Sequence, residues 1–124
     1  MIALDTSALI AFFRGEEPRV ADKVDHALEA QQAVLPPVVL TEILSDPRLD
    51  RAVSRLLREL PVLELHDGFW ERAAETRARL LARRLRARLA DTLIAQSCID
   101  HGVPLVTRDS DFRHFARLGG LVLA

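Results

Sequence analysis

An α/β domain with a mostly parallel sheet, covered by helices on both faces, is what this sequence predicts, and three observations predict it. Short runs that are apolar on both faces alternate with segments of helical periodicity along the whole chain. Prolines and glycines fall where helices would start and stop. The chain has 124 residues, 49% of them hydrophobic, which suffices for one core. No repeat, linker or low-complexity segment interrupts it, so residues 1–124 read as a single domain.

Residues 1–5 form the first strand candidate, since Ile2, Ala3 and Leu4 are all apolar. Ser7 to Phe13 reads as a helix stopped by Gly15, and Pro18 opens a second one carrying Val20, Val24, Ala27 and Leu28 at helical spacing. Ala33-Val34-Leu35 is the next strand, after which the second of two prolines opens a helix over Val38–Leu44. Asp46-Pro47 carries a cap followed by a first-turn proline, and Leu49, Val53, Leu56, Leu57 and Leu60 follow on one helical face. Pro61 ends that helix and Val62–Leu65 is a third strand. A long helical stretch beginning near Asp67-Gly68 carries a run of arginines, and a helix from about Ala90 to Asp100 ends at His101-Gly102. Pro104–Thr107 is a fourth strand, Asp111–Arg117 a short helix and Leu121–Leu123 a last strand.

No apolar run approaches the ~20 residues of a membrane span, and the opening residues are too short and too acidic for a signal peptide. Cys98 is the only cysteine, which excludes an internal disulfide and points to a reducing, cytoplasmic setting. The formal net charge of −1 favours no class of partner, but its distribution is uneven. Seven arginines and one acid, Glu75, lie between Arg72 and Arg88, while lysine occurs once, at Lys23. Such a block is a phosphate-binding surface, the wet face of a helix paired with Glu71 or Glu75, or a contact for an acidic partner.

Four acids stand where surface charge alone does not require them. Asp5 ends the first apolar run, and Asp109 follows the fourth strand. In an open α/β sheet, ligands bind beyond the carboxyl ends of the strands, so both reach one rim if those strands are parallel neighbours. Glu42 sits within PVVLTEIL, one turn after Val38 and Val39, and leans toward the apolar side. Asp91 heads a stripe of Ile94, Ala95, Cys98 and Ile99. Each has an ordinary structural reading: a cap for Asp5, a first-turn acid for Asp91, a polar loop for Asp109, a buried pair for Glu42. Together they would repel one another unless a cation intervenes. With no zinc-type cluster of cysteine or histidine, an all-oxygen set favours a hard ion, Mg²⁺ or Mn²⁺, which suits phosphodiester hydrolysis by one ion or two.

The opening LDTSALIAFF, the TEIL segment, LADTLIAQSCIDHGVPLVTRDSDF and the final apolar strand resemble the PIN-domain nucleases. The likeness is nearest to the small VapC toxins of bacterial and archaeal toxin–antitoxin pairs, and it covers essentially the whole chain. The resemblance implies a five-stranded parallel sheet of order 3-2-1-4-5, often in a homodimer, and Mg²⁺- or Mn²⁺-dependent cleavage of RNA. It implies that Asp5, Glu42, Asp91 and Asp109 form the acidic quartet, with Asp5 and Asp91 as direct metal ligands. Glu42 and Asp109 would act through water, and Thr6, Ser7 and Thr107 supply supporting hydroxyls. It also implies an antitoxin that covers the cleft, often with a basic side chain among the acids. Ahead of Asp91, where many relatives have a glycine-containing turn, this chain runs RRLRARLAD.

Other residues fit structural roles. Asp111 reads as the cap of the helix that follows it, Cys98 as core, and His101 as part of a helix terminus. Phe12, Phe13, Phe69 and Trp70 fit a core or a dimer interface, since 5% aromatic content is too little for a base-stacking platform. Arg83, Arg84, Arg86 and Arg88, nearest in sequence to Asp91, are the candidates for guiding an RNA backbone. Two other functions compete with a toxin: a housekeeping PIN nuclease of RNA processing or DNA repair, and a PIN-fold binding module without catalysis. A phosphoacceptor signalling domain is excluded, because Asp5 is followed by Thr6-Ser7 rather than an acid and no lysine follows the last strand.

Overall fold

The computed structural model describes residues 1–124. Strand β1 (Ile2–Leu4) lies at the centre of a parallel sheet, between β2 (Ala33–Val34) and β3 (Leu105–Val106). Register pairs Ala3 with Val34 on one side and Leu4 with Val106 on the other. The two outer predicted strands contract to single parallel bridges, Leu35 with Val62 and Leu105 with Leu123. Each is nevertheless held by a pair of backbone bonds: Leu35 N–H to the Pro61 carbonyl and Leu63 N–H to the Leu35 carbonyl, then Leu105 N–H to Val122 and Ala124 N–H to Leu105. The segments thus follow the expected order 3-2-1-4-5. Their shortness fits an edge position, where one side of the backbone has no partner and faces water.

Helices α1 (Thr6–Arg14) and α2 (Pro18–Glu29) connect β1 to β2. The first stops at Gly15, whose φ of +66° lets its N–H reach the Ala11 and Phe12 carbonyls. Helix α3 (Pro37–Leu44) starts on the second proline, as the sequence predicts. Helix α4 (Arg51–Glu59) starts later than predicted. Asp46 accepts from Arg48 N–H in a turn, and Asp50 is the cap, accepting from Ala52 N–H at 2.7 Å.

The arginine run also divides differently. Helix α5 (Phe69–Ala82) carries Arg72, Arg77 and Arg79, while Arg83, Arg84, Arg86 and Arg88 lie in the connection to α6 (Leu89–His101). Arg84 turns the chain there with φ +59°, the left-handed conformation glycine adopts most readily. Helix α6 is buried over Thr92 and Ile94–Cys98 and packs against α3, α5 and α7 (Phe112–Gly119). One cluster of 24 buried hydrophobic residues runs through the sheet and helices, which fixes the strand ends relative to α3, α6 and α7. Cys98 belongs to it, and burial pushes its thiol up to about 12. No helix is long and apolar enough to cross a membrane.

Candidate active site

Because β1 and β3 are parallel neighbours, their carboxyl ends reach the same rim. Asp5 N–H donates to the Val106 carbonyl, so Asp5 and Thr107 sit side by side. Asp5 is 3% exposed. Its Oδ1 accepts from Ala8 N–H and Ser7 Oγ, both at 2.8 Å, and its Oδ2 accepts from Thr107 Oγ1 at 2.6 Å. It therefore caps α1 and stands at the strand end as an acid, both at once. Burial pushes the carboxyl up, the three hydrogen bonds pull it down and the charge of Asp109 adds to the rise, with a net upward shift. The single bond at Oδ2 leaves a lone pair free.

A web of hydroxyls ties Asp5 to the loop after β3. Ser7 Oγ lies 3.3 Å from Thr107 Oγ1 and accepts from Arg108 N–H, while Thr107 Oγ1 accepts from Asp109 N–H at 3.0 Å. Thr6 Oγ1 donates to Glu42 Oε1 at 2.7 Å, which brings the acid of α3 toward the start of α1. Glu42 is exposed rather than turned toward apolar residues. Val39 and Ile43 take the buried face of that short helix, and Glu42 projects from its flank.

Asp91, in the first turn of α6, faces the loop after β3. Carboxylate oxygens of Asp91, Asp109 and Asp111 all lie within 4.8 Å of one another. Burial, then the charge of Asp109, pushes Asp91 up to about 6, with Glu42 and Asp5 adding to the rise and Arg88 opposing it. Asp111 does not make the side-chain cap that its sequence position suggests. Instead, its N–H donates to Asp109 Oδ1 at 2.9 Å, and its own carboxylate turns to the acids, with Arg86 Nε at 3.8 Å. The signal available in the sequence was the alternation Asp109-Ser110-Asp111: both acids flank one tight turn, so a bond from the second N–H to the first carboxylate frees the second side chain.

The structure thus gathers Asp91, Asp109 and Asp111 most closely, links Asp5 to them through Thr107, and sets Glu42 near enough to act on Asp91. Of the four candidate RNA-guiding arginines, Arg86 and Arg88 border the acids. Arg84 is exposed at the turn, and Arg83 lies beyond it against His114 and Arg117. Arg72 and Arg77 serve the fold: Arg72 pairs with Asp100 at 2.7 Å rather than with Glu71 or Glu75, and Arg77 Nε donates to the Ala87 carbonyl. His101 Nε2 lies 2.7 Å from the Glu64 carbonyl oxygen, and its ring lies 4.3 Å from that of His66 at a tilt of 41°.

An oxygen-only set of this kind, with two members whose ionised forms are disfavoured, is suited to a hard divalent cation. Comparison with known proteins agrees with the geometry. The chain is 35% identical to a VapC ribonuclease of Mycobacterium bovis and to ribonuclease VapC11 of Mycobacterium tuberculosis, in alignments covering all of this chain and 98% of each relative. Among solved structures, VapBC2 of Rickettsia felis bound to a DNA fragment from its promoter superposes with a TM-score of 0.76 at 20% identity, covering all of this chain and 98% of that one. DNA-bound VapBC of Salmonella typhimurium gives 0.74 at 18%, with the same coverage. At such identities the likeness of the solved structures is one of fold. The PIN domain model matches residues 2–118, and with relatives 35% identical from end to end, the chain belongs to the PIN domain family.

Proposed function

We propose that this chain is a single-domain, metal-dependent endoribonuclease acting as the toxin of a VapBC-type pair in the cytoplasm. The carrying observation is the imbalance at the rim: Asp5, Glu42, Asp91, Asp109 and Asp111 converge there, and only Arg86 and Arg88 oppose them. Asp91, Asp109 and Asp111 are the residues to hold one or two Mg²⁺ or Mn²⁺ ions, with the free lone pair of Asp5 directed from the strand end. When bound, the ion supplies counter-charge for the carboxylates and acidifies the water that attacks the phosphodiester.

The remaining work falls to the chain's own side chains. Ser7 and Thr107 orient Asp5, and Thr107 also fixes the Asp109 backbone. Thr6 holds Glu42 at the mouth of the site, where an exposed carboxylate can orient water or accept a proton. Arg86 and Arg88, which border the acids, and Arg84, exposed at the turn before them, are the contacts for the RNA backbone. The antitoxin partner would cover the same rim and place a cationic side chain among these acids.

A homodimer is supported by the surface between α5 and α6. There Trp70, Leu81 and Leu89, at 61%, 48% and 60% exposed, border a groove of about 410 Å³. Sedimentation of the wild type beside Leu89→Glu checks it, with a shift toward monomer expected in the variant.

The deciding experiment maps new 5′ RNA ends after brief expression of the wild type and Asp5→Asn. Ends at a few defined positions in the wild type alone are expected. Identical maps would sink the nuclease reading in favour of a binding module.

A further inference from the structure

Beyond the acids, on the far side of the arginine loop, lies a small cavity of about 220 Å³ lined by Arg83, Leu85, His114, Arg117 and Leu118. Three of its five lining residues carry or can carry positive charge, and none is acidic. Arg83 and Arg117 are exposed, and neither makes an ion pair. His114 Nδ1 is buried with no hydrogen-bond partner, the only such side-chain atom in the molecule. A buried polar atom left unmatched costs about 1–3 kcal/mol, which asks what satisfies it. Two unpaired guanidinium groups and an imidazole around one concavity match a phosphate.

Its place in the fold says which phosphate. Asp111, His114 and Leu118 are spaced i, i+3, i+7 on α7 and its cap, so one stripe runs from the acidic cluster to this cavity. With a helical rise of about 1.5 Å per residue, Arg117 lies roughly 9 Å along the axis from Asp111. A stacked strand advances about 3.4 Å per nucleotide, so a few nucleotides join the two places. The loop from Arg83 to Arg88 borders the same path, with Arg86 at 3.8 Å from Asp111 between the ends. A polyanion entering a rim of five carboxylates also needs cationic support nearby.

We infer that Arg83, His114 and Arg117 form a phosphate subsite that holds the backbone of single-stranded RNA a few nucleotides from the bond to be cut. This rests on the nuclease reading but is read out by binding alone. The assay uses Asp5→Asn protein and a fluorescein-labelled, mixed-sequence single-stranded RNA of about a dozen nucleotides, with Kd measured across a salt series. Arg117→Gln in that background is expected to weaken binding roughly three- to tenfold and to flatten the log–log salt slope by up to about 0.7, one phosphate contact on a single strand. Arg117→Lys should restore most of the slope. A dinucleotide, whose single step of about 3.4 Å falls short of the roughly 9 Å from acids to cavity, should show no difference between the two proteins.

Unchanged Kd and slope in Arg117→Gln would overturn the subsite, as would an equal loss for the dinucleotide, which would place the effect at the acids. Loss of affinity for an acidic peptide with RNA binding intact would assign the cavity to a protein partner and overturn it too. Because Arg117 is exposed, the fold is expected to survive, and equal melting temperatures verify this. If RNA binding shows the expected length dependence while the wild type cuts no RNA, the subsite stands and the nuclease reading falls.

Discussion

Helix α6 carries an aspartate near each end, and the protein treats the two in opposite ways. Asp100, at the C-terminal end, lies among donors: Arg72 contributes three hydrogen-bond contacts at 2.7–3.2 Å and Gln96 Nε2 one at 2.8 Å, while Thr76 Oγ1 fixes the Gln96 carbonyl at 2.6 Å. Burial works against its charge, yet these bonds and the charges of Arg72 and His66 outweigh it, so its pKa lies below the usual range. Asp91, at the N-terminal end, has the favourable end of the helix dipole but is surrounded by acids, and it rises to about 6. One helix thus holds a structural acid whose charge is matched and another whose charge is left open to a ligand. The difference between them is the set of facing residues, since the amino acid and the helix are shared.

Exchanging the two carboxylates for neutral groups, one at a time, should separate these roles. Asp91→Asn is expected to reduce RNA cleavage by more than about a hundredfold, as loss of a metal-holding group exceeds loss of an outer one. It should leave metal-free stability equal or slightly improved, because repulsion is relieved. Asp100→Ala is expected to do the reverse: cleavage close to wild type, and a loss of about 1–3 kcal/mol in urea unfolding as Gln96 and Arg72 lose their acceptor. Parallel cleavage and unfolding assays check both. A variant of Asp100 that loses activity while keeping its stability would break the contrast.

The pH dependence sharpens the same comparison. In the folded protein Asp91 titrates at about 6 against 3.8 for the free residue. Between those values the folded state keeps a proton that the unfolded chain has released, so metal-free stability falls as pH rises through this window and levels off above it. Asp100 behaves oppositely: its depressed pKa contributes stability that is present above about 3.8 and is lost as pH falls. Comparing wild type with Asp91→Asn at pH 4 and pH 7 without metal, the gap should move in the variant's favour by about 1–2 kcal/mol, allowing for solvent screening. Adding Mg²⁺ at pH 7 should stabilise the wild type and raise its midpoint more than the variant's.

Much of the acidic end was legible in the sequence because its members sit at strand ends and in a helical first turn, positions that periodicity and caps locate. Asp5 and Asp109 reach one rim for the reason the pattern suggests, since β1 and β3 pair in parallel. The matched end was not legible. Arg72 and Asp100 are 28 residues apart and Thr76 and Gln96 are 20 apart, so no local spacing joins them, and Glu71 and Glu75 look like the nearer partners. Asp111 departs from its sequence reading because the residue at a cap position ordinarily caps, whereas here its N–H donates to Asp109 and its carboxylate turns to the acids. The same ambiguity delayed α4, where Asp46-Pro47 makes a turn and Asp50 the cap.

The smallest expected effect concerns how each end is joined to the chain. After His101, Gly102 takes φ +62° with open space around the position a Cβ would fill. On the acidic side, the turn between α5 and α6 uses Arg84 at φ +59°, where a side chain is strained. Left-handed backbone costs an L-residue about 1–2 kcal/mol, while glycine loses more entropy on folding, so Arg84→Gly should stabilise by about 0.5–1 kcal/mol. If the arginine is retained there for its charge, the same substitution should weaken RNA binding modestly and flatten its salt slope. Stability and affinity would then move in opposite directions, measurable by urea unfolding and RNA titration of one protein. Should both improve or affinity stay fixed, the strain at Arg84 serves neither the RNA path nor the acids beyond it, and the charged end of α6 begins at Arg86.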